Sequence, residues 1–76
     1  MELNDFIKNL AEQFDETEIS EFTAKTEFKA MEEWSSLIAL SLIAMIDEQY
    51  DVQIKSEDIR NSNTIEDLFN RVKSLK

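Results

Sequence analysis

Four residue types are missing from this sequence of 76 residues: cysteine, histidine, glycine and proline. Without cysteine there is no disulfide framework and no side-chain thiol to act as a nucleophile. Without histidine there is no side chain whose ordinary pKa suits general-base work near neutral pH. Lacking both, the chain has no set of ligands for zinc. Without glycine it has no loop of the kind that cradles phosphates. Carboxylates are plentiful, but no pair stands apart as catalytic rather than solvated. The absences argue against a self-sufficient enzyme. No apolar run is long enough to cross a bilayer, and the acidic amino terminus lacks the basic region of a signal peptide, so the expected location is the cytoplasm.

What is present points to a folded chain. Apolar residues make up 42% of the sequence, enough for a core in a single domain spanning residues 1–76, close to the lower size limit for one. Seventeen acids against eight bases leave a net charge of −9. Such a field repels nucleic acid and anionic membranes and steers the protein toward basic surfaces, besides keeping it soluble.

The organising stretch runs from Glu33 to Tyr50 and contains the longest apolar-rich run. Serines open it, and the spacing predicts a helix over about 36–50, ending near Asp51. At about 100° per residue, Ala39, Leu42, Ile43, Ile46 and Tyr50 form one stripe. A second stripe, about 150° away, carries Leu37, Ser41, Met45 and Glu48, with Ile38 at its flank. A small protein can bury one such face within itself; the other is expected to meet a partner.

Around this helix the pattern is helical. Leu3, Phe6, Ile7, Leu10 and Phe14 recur at helical spacing and predict a first helix over 3–14. Between 15 and 35 the periodicity breaks, with Thr17, Ser20, Thr23 and Thr26 competing for backbone hydrogen bonds. The expectation there is an ordered connection with a helical turn, anchored by Ile19, Phe22, Phe28, Met31 and Trp34. With neither glycine nor proline, it does not read as a flexible linker. Val52 and Ile54 flank Gln53 in a short extended piece that tucks both against the core. Ser56-Glu57-Asp58 signals the start of a short helix over about 56–61. Thr64 is a cap for a last helix bearing Ile65, Leu68, Phe69, Val72 and Leu75, with Arg71, Lys73 and Lys76 at its carboxyl end. The fold class is all-α: a small antiparallel four-helix bundle, three main helices plus one short helix, with a long first loop.

Taken together, Ser35-Ser36-Leu37, the helix that follows, the step Tyr50-Asp51-Val52-Gln53-Ile54, then Ser56-Glu57-Asp58-Ile59 and Asn63-Thr64-Ile65-Glu66-Asp67-Leu68 resemble the acyl carrier protein family over essentially the whole chain. The family opens its second helix with Asp-Ser-Leu. The resemblance implies that Ser36 accepts 4′-phosphopantetheine from coenzyme A. It also implies that the thiol of that arm carries acyl groups as thioesters between partner enzymes of fatty-acid, polyketide or related biosynthesis. The chain is then a carrier and not an enzyme. Its partners are a phosphopantetheinyl transferase and acyl-loading and acyl-transferring enzymes with basic docking patches, met through Leu37, Ser41, Met45 and Glu48. Neither nucleic acid nor membrane insertion is expected, and a shuttle of this size is expected to be a monomer. A cysteine-free chain fits this chemistry, because its thioester thiol must come from a prosthetic group. The sequence departs from the family at Ser35, which replaces the acid, and at Ile38 and Ser41, where other acidic positions fall. The acidity lies lower, at Asp47, Glu48 and Asp51, with Glu32 and Glu33 in the preceding loop as compensating acids. Leu42, Ile46, Ile54, Ile59 and Leu68 are core positions among which an acyl chain could slip. The alternative reading is an unloaded, carrier-like module that docks basic partners through the same acidic helix.

Overall fold

A computed structural model describes residues 1–76 as an all-helical chain: α1 (Leu3–Ala11), α2 (Ser36–Tyr50), α3 (Ser56–Arg60) and α4 (Ile65–Leu75). Two 3₁₀ turns, at Ile19–Glu21 and Phe28–Ala30, stand in the long connection between α1 and α2. α1 packs on α2 and α4, and α3 bridges α2 and α4. Phe6, Leu10, Phe28, Leu42, Ile46, Ile65, Leu68 and Val72 are sealed from solvent at the centre.

α1 stops three residues short of the expected end. Phe14 stays buried, but it is delivered by a tight turn in which the Gln13 and Phe14 N–H groups bond the Leu10 and Ala11 carbonyls. The tighter i→i+3 pattern lets the chain leave the helix while Phe14 reaches the core.

The long connection is ordered, as its composition suggests, and it is held at both levels. Phe22 and Phe28 are buried, and Met31 and Trp34 pack against the core. Phe14 lies 5.2 Å from Phe22 and 6.3 Å from Trp34, and Phe28 meets Trp34 edge-on at 5.4 Å. Ile19, expected as an anchor, is instead 48% exposed. Its 3₁₀ turn is too short to bury a face, and Phe22 occupies the inward position.

The connection also satisfies backbone donors. The Ile65 and Glu66 N–H groups at the start of α4 bond the Thr26 and Ala24 carbonyls at 3.1 and 3.0 Å. Thr64 Oγ1 accepts from the Asp67 N–H, and the Asp67 carboxylate accepts from the Thr64 N–H in return. The N–H groups of Thr64, Ile65, Glu66 and Asp67, the four amino-terminal donors of α4 without a partner inside the helix, are thus all used. The Thr64 and Asn63 N–H groups hold the Asp67 carboxyl below its usual range. On the surface Lys25 pairs with Glu66 at 2.9 Å, which raises the Lys25 pKa.

α3 has only five residues and depends on its neighbours. Ser56 is its first helical residue, where the sequence signal starts the helix, and Lys55 is the cap position. The capping comes from Asp58, which is 7% exposed and accepts from the Lys55 N–H at 2.8 Å and from Arg71 Nε of α4 at 2.7 Å. The Lys55 N–H first and the Arg71 guanidinium second hold its carboxyl below the usual range. Lys29 Nζ donates to the Arg60 carbonyl, closing the other end of the helix. Val52 and Ile54 are buried, as expected of the extended piece before α3.

Candidate functional site

α2 follows the sequence boundaries residue for residue, with Ser35 as its cap and Asp51 as its stop. Ser35 adopts extended backbone, and its Oγ accepts from the Ile38 N–H at 3.3 Å. At the far end Asp51 turns into the left-handed region, φ 56° and ψ 41°, an aspartate doing what glycine more often does. Asn9 Nδ2 donates to the Tyr50 hydroxyl at 2.8 Å and Lys76 Nζ to the Tyr50 carbonyl, so α1 and the chain end both fix this terminus.

The two adjacent serines therefore have different environments. Ser35 is committed to the backbone. Ser36 is the first helical residue; it is exposed, and its hydroxyl bonds no other protein group. The Ser36 and Leu37 N–H groups have no protein acceptor either, in contrast to α4, where every such donor is taken. An oxygen at this point is open to solvent and stands over the positive end of a helix dipole, which favours a negatively charged substituent.

Burial divides α2 differently from the expected stripes. Ile38, Leu42, Met45 and Ile46 are buried; Ala39, Ile43 and Tyr50 are half-buried against the core. Leu37 is 74% exposed, and Ser41 and Glu48 are open. Met45, expected on the partner-facing stripe, is only 7% exposed and belongs to the core. The reason is angular: Met45 lies about 20° from Ile38 on the helix wheel, two turns along, and the core arc extends to include both. The residue the stripe missed is Leu40, 63% exposed on the other side of Leu37. Its signal was present, because Leu40, Leu37 and Ala44 fall within about 60° of one another and opposite Leu42 and Ile46.

The acids around α2 also separate by role. The Glu33 carboxylate accepts from the Glu16 N–H, at 3.1 and 3.2 Å to its two oxygens, and from Thr17 Oγ1 at 2.8 Å. It staples the connection and is not free to compensate for the missing acid at position 35. Glu32, Asp47, Glu48 and Asp51 remain open.

Leu42, Ile46, Ile54, Ile59 and Leu68, the positions considered for an acyl chain, are all buried. The surface hollows lie elsewhere. One, of about 500 Å³, is lined by Glu16, Thr17, Glu21, Met31, Glu32 and Glu33. The other, of about 620 Å³, lies over α3 and α4 and is lined only by polar side chains, Asp58 and Arg71 among them. No cluster of acids is arranged to hold a metal ion, and no helix is long and apolar enough to cross a membrane.

Comparison with protein families gives a match to the family described as a phosphopantetheine attachment site, over residues 5–72. That span runs from α1 into α4 and contains α2 with both serines. Comparison with curated proteins and with solved structures gives no match.

Proposed function

Because the chain belongs to the phosphopantetheine attachment-site family, whose members carry 4′-phosphopantetheine covalently, we propose that Ser36 is the residue that bears the group. The observation that carries this assignment is the division of labour between the two serines. Ser35 Oγ caps α2, and Ser36 Oγ is exposed and unbonded at its first position. The residues present suit the group: an open hydroxyl, two unpaired N–H donors beside it, and the helix dipole behind it.

In this reading the protein is an acyl carrier protein. When bound, the group supplies a terminal thiol that holds an acyl cargo as a thioester, which no side chain of this cysteine-free chain can do. The chain's own part is positioning. Ser36 Oγ loses its proton and forms a bond to the pantetheine-side phosphorus of coenzyme A as the diphosphate P–O bond breaks. This gives a phosphodiester on the serine and releases adenosine 3′,5′-bisphosphate; α2 holds the attachment point rigidly at its end. The packed core, sealed at Leu42, Ile46 and Leu68, keeps that helix start fixed relative to the surface that partners meet. Leu37, Ser41 and Glu48 belong to that surface; Met45 supports it from beneath. The partners are a phosphopantetheinyl transferase and acyl-loading and acyl-transferring enzymes of fatty-acid, polyketide or related biosynthesis. Cationic groups on those enzymes would meet Asp47, Glu48 and Asp51.

Ser35 keeps the capping role that an aspartate would have at the same position but brings no charge. That loss is what favours the second reading, an unloaded module that docks through α2. Intact mass after incubation with coenzyme A and a promiscuous phosphopantetheinyl transferase separates the two. The carrier gains one phosphopantetheine, and Ser36→Ala gains none. Addition that persists in Ser36→Ala would move the site to another residue, and no addition at all to the unaltered chain would leave the docking module.

A further inference from the structure

Trp34 and Ser35 stand between Glu33 and Ser36, and all three side chains ahead of Ser36 are engaged. The Trp34 ring stacks on Phe14 at 6.3 Å and meets Phe28 edge-on at 5.4 Å. Ser35 Oγ caps α2. The half-buried Glu33 side chain reaches the other way, to the residues just beyond α1. Its Oε1 accepts both from the Thr17 hydroxyl at 2.8 Å and from the Glu16 N–H at 3.2 Å, and its Oε2 from that same N–H at 3.1 Å. One side chain thus ties the exit of α1 to the entry of α2.

Ser36 has little else to hold it. The first residue that α2 buries is Ile38. Ser36 and Leu37 are exposed, and their N–H groups have no protein acceptor. The core does not grip the head of the helix directly; the helix behind it and the segment before it do. We infer that Glu33 is a positioning residue for the loading of Ser36. It acts as an acceptor that fixes the segment leading into the serine, and not as a charge shown to the transferase. The inference rests on Ser36 being the loaded residue. Bond formation to phosphorus needs Oγ held in line, and a displacement of about 1 Å at a reacting atom can cost about a hundredfold in rate.

An acceptor and a charge predict different kinetics. The test uses the same transferase and coenzyme A, with kcat and KM for loading read by mass at about 0.05 M and 0.5 M salt, well below the Tm of each variant. Glu33→Ala lowers kcat about fivefold at both salt concentrations, the scale of losing hydrogen bonds to a half-exposed carboxylate. KM stays within about twofold, because Asp47, Glu48 and Asp51 still steer the encounter. Glu33→Gln removes the charge but keeps Oε1, which takes both bonds, and holds kcat within about twofold of the unaltered chain. Thr17→Val, which removes the partner hydroxyl, lowers kcat about twofold by itself and no further in Glu33→Ala, as coupled residues do. Loss of stability alone moves neither constant of the folded protein. A Glu33→Gln as slow as Glu33→Ala, with the loss in KM and fading in high salt, overturns the proposal and makes Glu33 a charge that the transferase reads. Full-rate loading of Glu33→Ala, or a Thr17→Val effect that simply adds to it, also overturns the proposal and leaves Ser36 in place. Failure of the unaltered chain to load overturns the Ser36 reading beneath it.

Discussion

Replacing Ser35 by alanine separates structure from chemistry at the head of α2. The Ser35 Oγ bond to the Ile38 N–H is 3.3 Å long, at the weak edge of the usual range, and both serines are open to water. Loss of a helix cap costs about 0.5–2 kcal/mol, and this geometry places Ser35→Ala at about 0.5–1. In a domain of this size that lowers Tm by about 3–6 °C, readable by circular dichroism at the helical minimum. Loading with coenzyme A continues, because the nucleophile is untouched. Ser36→Ala gives the converse: a Tm within about 2 °C of the unaltered chain, since its hydroxyl bonds nothing, and no loading. Ser35→Asp keeps the cap and adds a charge at the positive end of the dipole, raising stability by about 0.3–1 kcal/mol. The reasoning is refuted if Ser35→Ala leaves Tm unchanged and stops loading. That pairing of results would mean that the roles of the two serines are exchanged.

Substitutions in two further regions, at Asp58 of α3 and in the long connection, test how the rest of the fold is held together. The Asp58 carboxyl is held below its ordinary value in the fold, so the stability it adds is complete above the unfolded carboxylate pKa of about 3.9 and is lost as pH falls through the lower folded value. Asp58→Asn should therefore flatten the acid limb of the stability–pH curve below about pH 4, measured by urea denaturation. Arg71→Met should cost less than Asp58→Ala, because the Lys55 N–H is the larger influence on Asp58 and the Arg71 side chain is half exposed. In the long connection, Phe28→Ala should cost about 3–5 kcal/mol and Ile19→Ser less than about 0.5, by the same denaturation. Equal effects at the two positions would show that the connection is not anchored where the burial places it.

The extent of α2 was legible because three local signals agree: serines at the start, an unbroken apolar run, and an aspartate able to turn left-handed at the end. The cap and first turn of α4 were legible for the same reason, since Thr64 and Asp67 bond each other across a single turn. Where the decisive partner is remote, local pattern falls short. Ser56 starts α3 as its pattern signals, but what holds that start is the Asp58 carboxylate on the Lys55 N–H, secured by Arg71 from another helix, which no local pattern shows. Glu33 looked like a free acid until the turn at Glu16 and Thr17 closed on it.

The sequence by itself determined the helical class, the absence of side-chain thiol or imidazole chemistry, and the serine pair at the head of the apolar helix. Composition and period-3.6 patterning are properties of the chain alone, so no fold is needed to read them. The tertiary structure decided which of α2's sides is left over. A helix apolar nearly all round has no inside until its neighbours arrive. Here the core, with Phe28 and the other helices, takes Met45 and Ile38 in and leaves Leu37 and Leu40 out beside Ser36.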